Sequence, residues 1–469
     1  MRLWLKESGD GMVRFGASVF GLTILLGGLG AFPALADPAT AIKLRDQALS
    51  DPTAYDILES LTSEIGPRPA GSPAQMRARD WAVAKMKSLG FTNVHVEPFA
   101  KRAWLRDTES ADIVGPVPQK LAILGLGGSV STPAEGITAD VVVLRSLAEL
   151  KAAPANAFTG KIVLVNQPMT RTQDESGYSS AVAARGAASD AARRGAVAYL
   201  TRSISTSTAR APHTGGFGYA ADAPKIPAGA LGVPDADMIE HLAASGPVRL
   251  HLNLQSHVVD ATAWTISGDV VGSKTPDQIV VVGGHIDSWD PGTGAIDDGA
   301  GVAISAAAAH LIGKLPRHPA RTIRVVFWGS EETGGSGTAY LEAHKNELDK
   351  IVLAGESDLG SDNVYLLELP KGAVDDPSLA SLQTILAPLK IMVGKTPALD
   401  GGADVEAIHK AGVPVLALHQ DASRYFDYHH TADDTLAIVD PVQLRQNVAA
   451  WAATLQMIAD SDVDFRAVK

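Results

Sequence analysis

The chain has 469 residues, 46% hydrophobic and 20% charged, as in ordinary globular proteins, and its length suggests two domains or one large domain with an insertion. A formal charge of −12, with acids and bases mixed along the chain and no basic face, argues against a nucleic-acid partner. There is no cysteine, so disulfides and thiolate ligands are excluded, and a transition-metal site must be built from histidines and carboxylates.

Residues 1–36 read as a targeting segment. Arg2, Lys6 and Arg14 supply positive charge, Phe15 to Phe32 is largely apolar, and Ala34-Leu35-Ala36 offers a small-x-small cleavage site before Asp37. The expectation is an exported protein, periplasmic or secreted; an uncleaved anchor and a start at Met12 are the alternatives. No other stretch reads as long and apolar enough to span a bilayer. Residues 52–65 and 72–89 show helical spacing, separated by the turn-rich GPRPAGS (66–72), and 91–99 alternate as a strand.

From about 115 the texture changes to short strand-like runs (ILGLGG, ADVVVL, GKIVLVN, GAVAYLT) around one Ala/Arg-rich helix at 180–194, and VRLHLNLQ (248–255) closes the section. Residues 115–255 therefore read as an inserted α/β subdomain within a domain made of 37–114 and 256–469. From 264 onward, strands at 278–285, 322–330, 351–357 and 413–420 alternate with helices at 299–315, 337–350 and 440–461. This pattern predicts an α/β fold with a mostly parallel, doubly wound sheet.

Ligands of such sheets bind beyond the carboxyl ends of the strands. Those ends carry His285, Asp287, Asp297 and Asp298, then Glu331 and Glu332, then Asp358, and finally His429 and His430. Four endings in potential ligands on one rim suit a catalytic zinc site built without thiolate, and five ligands with one shared carboxylate would hold two metals about 3.5–4 Å apart. Asp298 reads as a cap of the following helix and Asp290 as a loop residue. Either His429 or His430 fits as the last ligand. His310, His344, His409 and His419 have no carboxylate constellation in the sequence and read as structural. His213, in PHTGG, reads as loop scaffolding or as a residue reaching the cleft or a partner subunit, and Arg424 and Tyr425 are candidates for binding a substrate carboxylate.

HIDSWD, DDGAG, GSEETGG, ESDLG and HHTADDT, in this order, resemble the di-zinc exopeptidase family, which includes bacterial leucyl aminopeptidases. LGLGGSVSTPAEGITADVVVL, KIVLVNQP, PHTGG, PKIPA and AGVPVLAL are similar to its carboxypeptidase Q-like members, and the likeness runs from about residue 45 to the end. The resemblance implies the zinc exopeptidase fold with a protease-associated insertion, two Zn2+ per chain and a homodimer. It implies His285 and Asp358 on one zinc, Glu332 and His430 on the other, and Asp297 between them. Glu331 is then the general base, Asp287 the acid that orients His285, and the Asp297–Asp298 peptide is cis. The implied activity is hydrolysis of dipeptides or short peptides with free termini, the runner-up being an aminopeptidase on longer peptides. A receptor that has lost its ligands would not keep all five positions, and a one-zinc glutaminyl cyclase would lack the insertion.

Overall fold

The computed structural model describes residues 36–467, so all of the expected targeting segment except Ala36 lies outside the described residues. The strands are β1 (Thr92–Gly115), β2 (Gln119–Leu121), β3 (Ile123–Gly125), β4 (Ile137–Leu144), β5 (Ile162–Val165), β6 (Ala198–Arg202), β7 (Ala228–Leu231), β8 (Arg249–Val270), β9 (Thr275–His285), β10 (Arg321–Trp328), β11 (Ile351–Glu356), β12 (Val364–Glu368), β13 (Met392–Val393) and β14 (Ala417–Gln420). Eleven form one sheet in the order β11-β9-β10-β8-β4-β5-β6-β7-β3, with β1 laid along β8 and β2 on β1.

The α/β class holds. The sheet joins two parallel portions, β11-β9-β10 and β4-β5-β6-β7, through β8, which is antiparallel to both β10 and β4. β1 and β8 pair antiparallel from Thr92↔Asp269 to Gly115↔Arg249, far beyond the strands expected at 91–99 and 248–255. Midway along this ribbon Arg102, Val258 and Asp260 share one exposed face, while Ala103 on the opposite face is buried.

The helix Ala300–Gly313 is apolar on all faces and lies between β9 and the closing helix Pro441–Asp460. Its many alanines let strand and helix backbones approach closely. Contrary to the sequence expectation, the run Ala295–Gly313 is long and apolar enough to cross a membrane, but it is 94% buried inside the fold and its helical path breaks at Asp297 and Asp298. A helix that is hydrophobic all round belongs equally to the core of a large protein.

β9, β10 and β11 finish level: Trp328 pairs with His285, and Glu356 with Gly283. The fourth expected strand departs from this plan. Val415 bridges Ala354 on β11, but β14 then pairs antiparallel with β12 in a separate three-stranded sheet, and the chain returns to the rim through the short helix Tyr425–Tyr428.

Candidate metal centre

β9 delivers His285 into a fully buried position, where Nε2 lies 3.1 Å from Asp297 Oδ1 and 3.4 Å from Asp358 Oδ1. The backbone here runs against its neighbours: a Cβ on Gly284 would collide with the Asp298 carboxylate. Asp298 accepts from the His285 N–H at 3.0 Å and from the Gly301 N–H at 2.9 Å, so it ties the strand end to the start of the next helix and is a cap, as its sequence position suggests. The Asp297–Asp298 peptide is cis.

On the other side, His430 Nε2 lies 3.0 Å from both Asp297 Oδ2 and Glu332 Oε2. His429 Nε2 is 4.0 Å from Asp297, and its ring stacks on that of His430 at 3.5 Å. Of the two histidines left open by the sequence, His430 therefore faces both carboxylates. The structure brings together His285, Asp297, Asp358, Glu332 and His430, with Asp297 in the middle and Glu331 on the wall of the same cleft.

The hydrogen bonds of the far ring nitrogens determine what this cluster suits. His285 Nδ1 lies 3.1 Å from the carbonyl of Asp287, and His430 Nδ1 lies 3.2 Å from the carbonyl of Thr214. A carbonyl only accepts, so each Nδ1 carries the hydrogen and each Nε2 turns a lone pair toward carboxylates that also only accept. Among the described residues, Asp297 Oδ2 and Glu332 Oε1 are buried without a hydrogen-bond partner. Lone pairs gathered this way, from imidazole and carboxylate alone, fit zinc. Two overlapping donor groups, His285-Asp297-Asp358 and Asp297-His429-His430, share Asp297.

Asp287 is fully buried, and its Oδ1 accepts the Glu331 N–H at 3.0 Å while lying 3.5 Å from His285 Nδ1. Its main-chain carbonyl makes the shorter contact to the ring, so Asp287 holds both His285 and Glu331. Burial raises the Glu331 carboxyl well above the ordinary range; His285 opposes this, and the nearby Asp358 and Glu332 add to it. Burial, with Asp297 beside it, pushes Glu332 up to about 7.

Arg424 is not brought to this cleft. Its guanidinium turns to Asp362 at 3.3 Å and to the carbonyl of Ile438 in a small separate cavity, because the nearby carboxylate captures it. Tyr425 is buried and lines the cleft. His344 finds Glu97 at 2.8 Å, far away in the chain, and Glu347 three residues on, while His419 finds Glu368 at 3.0 Å.

Three contributions escaped the sequence reading. Arg68, in the GPRPAGS turn, is fully buried and donates to the carbonyls of Ile286 (2.5 Å), Thr293 (2.6 Å) and Gly294 (2.9 Å). An arginine between prolines in a turn was the only signal. Asp434 accepts from the Ala295 and Ile296 N–H groups, both at 2.8 Å, just before Asp297. The Thr214 N–H donates to the His430 carbonyl at 3.1 Å, completing a two-way bond with that residue.

The cleft has a volume of about 1260 Å³; residues 115–255 contribute Gly127, Tyr178, Arg185, Gly216 and Phe217 to its wall.

Residues 265–455 match the model of peptidase family M28. Carboxypeptidase Q of Bos taurus is 38% identical over 412 residues, spanning 87% of this chain and 85% of that one. The crystal structure of a peptidase M28 precursor from Shewanella amazonensis SB2B is 41% identical, covers 92% of this chain and 98% of its own, and superposes with a TM-score of 0.89. A zinc aminopeptidase from Bacillus subtilis, 20% identical, shares the fold over 86% of this chain and 93% of its own with a TM-score of 0.63.

Proposed function

We propose that this chain, which belongs to peptidase family M28 and is a zinc-dependent metallopeptidase, is an exported exopeptidase hydrolysing dipeptides or short peptides with free termini. The observation that carries the reading is the pair of buried histidines whose Nε2 atoms face Asp297, Asp358 and Glu332 beside the carboxyl of Glu331. His285 and Asp358 would hold one zinc ion, Glu332 and His430 a second, and Asp297 both. When bound, such a pair acidifies water and polarises the scissile carbonyl.

Glu331 takes the proton of the attacking water and returns it to the leaving amine. Its raised proton affinity suits that double duty, and its backbone is fixed by the bond to Asp287. Asp287 and Thr214 keep the two imidazoles in the tautomer that presents Nε2. Tyr178, Gly216 and Phe217 wall the cleft from the insertion, which supports short substrates over extended chains. In this reading residues 37–114 and 256–469 form the peptidase domain and 115–255 the protease-associated insertion. The protein acts as a homodimer in the periplasm or outside the cell, with no membrane span after cleavage and no nucleic-acid partner.

Metal analysis of the purified protein should find two zinc ions per chain, and chelation should abolish dipeptide hydrolysis. Glu331→Gln should lower kcat by about 10²–10⁴-fold with the metal content unchanged. Activity surviving both treatments would refute the mechanism. Equal rates on dipeptides and decapeptides would replace the dipeptidase with an aminopeptidase of broader specificity.

A further inference from the structure

Beyond the metal-site residues, the charged side chains lining the cleft are mostly acidic, among them Glu175, Glu368, Asp400 and Glu406; the cations are Lys101, Arg102 and Arg185. Lys101 is engaged, donating to the carbonyls of Thr333 (3.0 Å) and Gly334 (2.7 Å). The Arg102 side chain is 79% exposed and lies 3.5 Å from Asp260. Arg185 differs from both. It is only 6% exposed, its Nη2 is buried without a hydrogen-bond partner, and among the described residues it has no carboxylate partner. Its Cζ lies 5.6 Å from the ring centroid of Tyr178, which in turn packs edge-on against His429 at 5.4 Å, and His429 stacks on His430.

The backbone beside it is shaped for access. Gly215 and Gly216 are consecutive: a Cβ on Gly215 would collide with the guanidinium, and one on Gly216 would lie 3.2 Å from the Glu332 carbonyl oxygen. Arg185 and the Glu332 backbone thus flank a strip two glycines long, where neighbouring Cα atoms are about 3.8 Å apart. That strip is on the scale of a single substrate residue. A buried guanidinium without a countercharge is costly, and the group best matched to its planar fork is a carboxylate.

We infer that Arg185 binds the C-terminal carboxylate of the substrate, one residue beyond the scissile bond; this rests on the proposed hydrolysis of peptides with free termini. The carboxylate arrives with the substrate and completes the pair. A longer peptide places a neutral amide there and leaves the guanidinium unmatched, so Arg185 is the specificity-determining residue that favours dipeptides.

The test compares a free dipeptide with the same dipeptide amidated at its C-terminus, using the zinc-loaded wild type, Arg185→Met and Arg185→Lys. Wild type should prefer the free acid. Arg185→Met should lower kcat/KM on the acid by about 100-fold, mainly through KM, and leave the amide within about twofold, so that the preference vanishes. Arg185→Lys keeps a cation in the same place and should retain part of the preference; it also serves if the methionine variant fails to fold. A preference intact in the variants, or an equal loss on acid and amide, overturns the assignment while the dipeptidase reading stands. A wild type indifferent to amidation overturns both.

Discussion

Arg68 donates to three carbonyls of the loop between His285 and Asp297, and its positive charge is buried within the field of Asp434, Asp287, Asp298 and Asp297. Burial lowers its pKa and those carboxylates oppose the shift, so the cation and the acids support one another. Arg68→Met removes the bonds and leaves the acids without that countercharge. Urea unfolding of the zinc-free protein should show a loss of about 3–5 kcal/mol, the usual cost of removing one partner of a buried charge group; a change below about 1 kcal/mol would show that the loop holds itself. That His285, Asp297, Asp358, Glu332 and His430 gather was legible because a site without thiolate must draw on imidazole and carboxylate at strand ends. Arg68 and Arg185 were not, because their meaning lies in contacts: the Arg68 bond to Ile286 spans 218 residues, and Arg185 is defined by the partners it lacks.

At the scale of elements, the loop that carries Thr214 reaches the site from residues 115–255. Thr214 exchanges two hydrogen bonds with His430, setting both its backbone and its ring. Thr214→Pro removes the donated N–H, and the affinity for one of two zinc ions should fall about 10–100-fold in chelator competition, with the other unchanged. Equal weakening of both would mean that the loop acts on the whole fold. The helix Ser336–His344 is tied to β1 at its far end, where His344 meets Glu97 and Glu347. Burial opposes a charge on His344, but the two carboxylates outweigh it and raise its pKa above the ordinary 6.5. A raised histidine contributes stability that is present below 6.5 and lost as pH rises through its folded value. Unfolding of His344→Gln should therefore differ from wild type more at pH 5.5 than at pH 9. The strands β9, β10 and β11 were legible because burial on both faces makes continuous apolar runs. The full length of the ribbon was not, because it pairs segments far apart in the chain, and the single helix expected at 180–194 breaks into Ser176–Ala181, a 3-10 turn and Ala188–Ala192 around Gly186, with Arg185 turned to the cleft.

For the whole molecule, the consequence of this design is that protons and metal compete for one acidic interior. Burial, with the neighbouring acids, raises Glu332, Asp404 and Asp434 to about 7, and raises Asp298 and Glu356 well above the ordinary range. His430 rises to about 9 because Glu332 and Asp297 overcome its burial. Asp297 runs the other way, held low by His285 and His430 against its burial, and is outnumbered. For a carboxyl raised on folding, the folded state binds the proton more tightly, so the stability it brings is complete below about 4 and is lost as pH climbs through 7. The zinc-free protein should therefore lose stability from pH 5 to pH 8. Metal replaces those protons and binds more tightly as they leave, adding about 4 kcal/mol per ion at a thousandfold excess over Kd. Thermal unfolding across that range should give opposite slopes, Tm falling with pH in the presence of chelator and rising with zinc. Parallel slopes would mean that the buried acids are neutralised by something other than the metal site they surround.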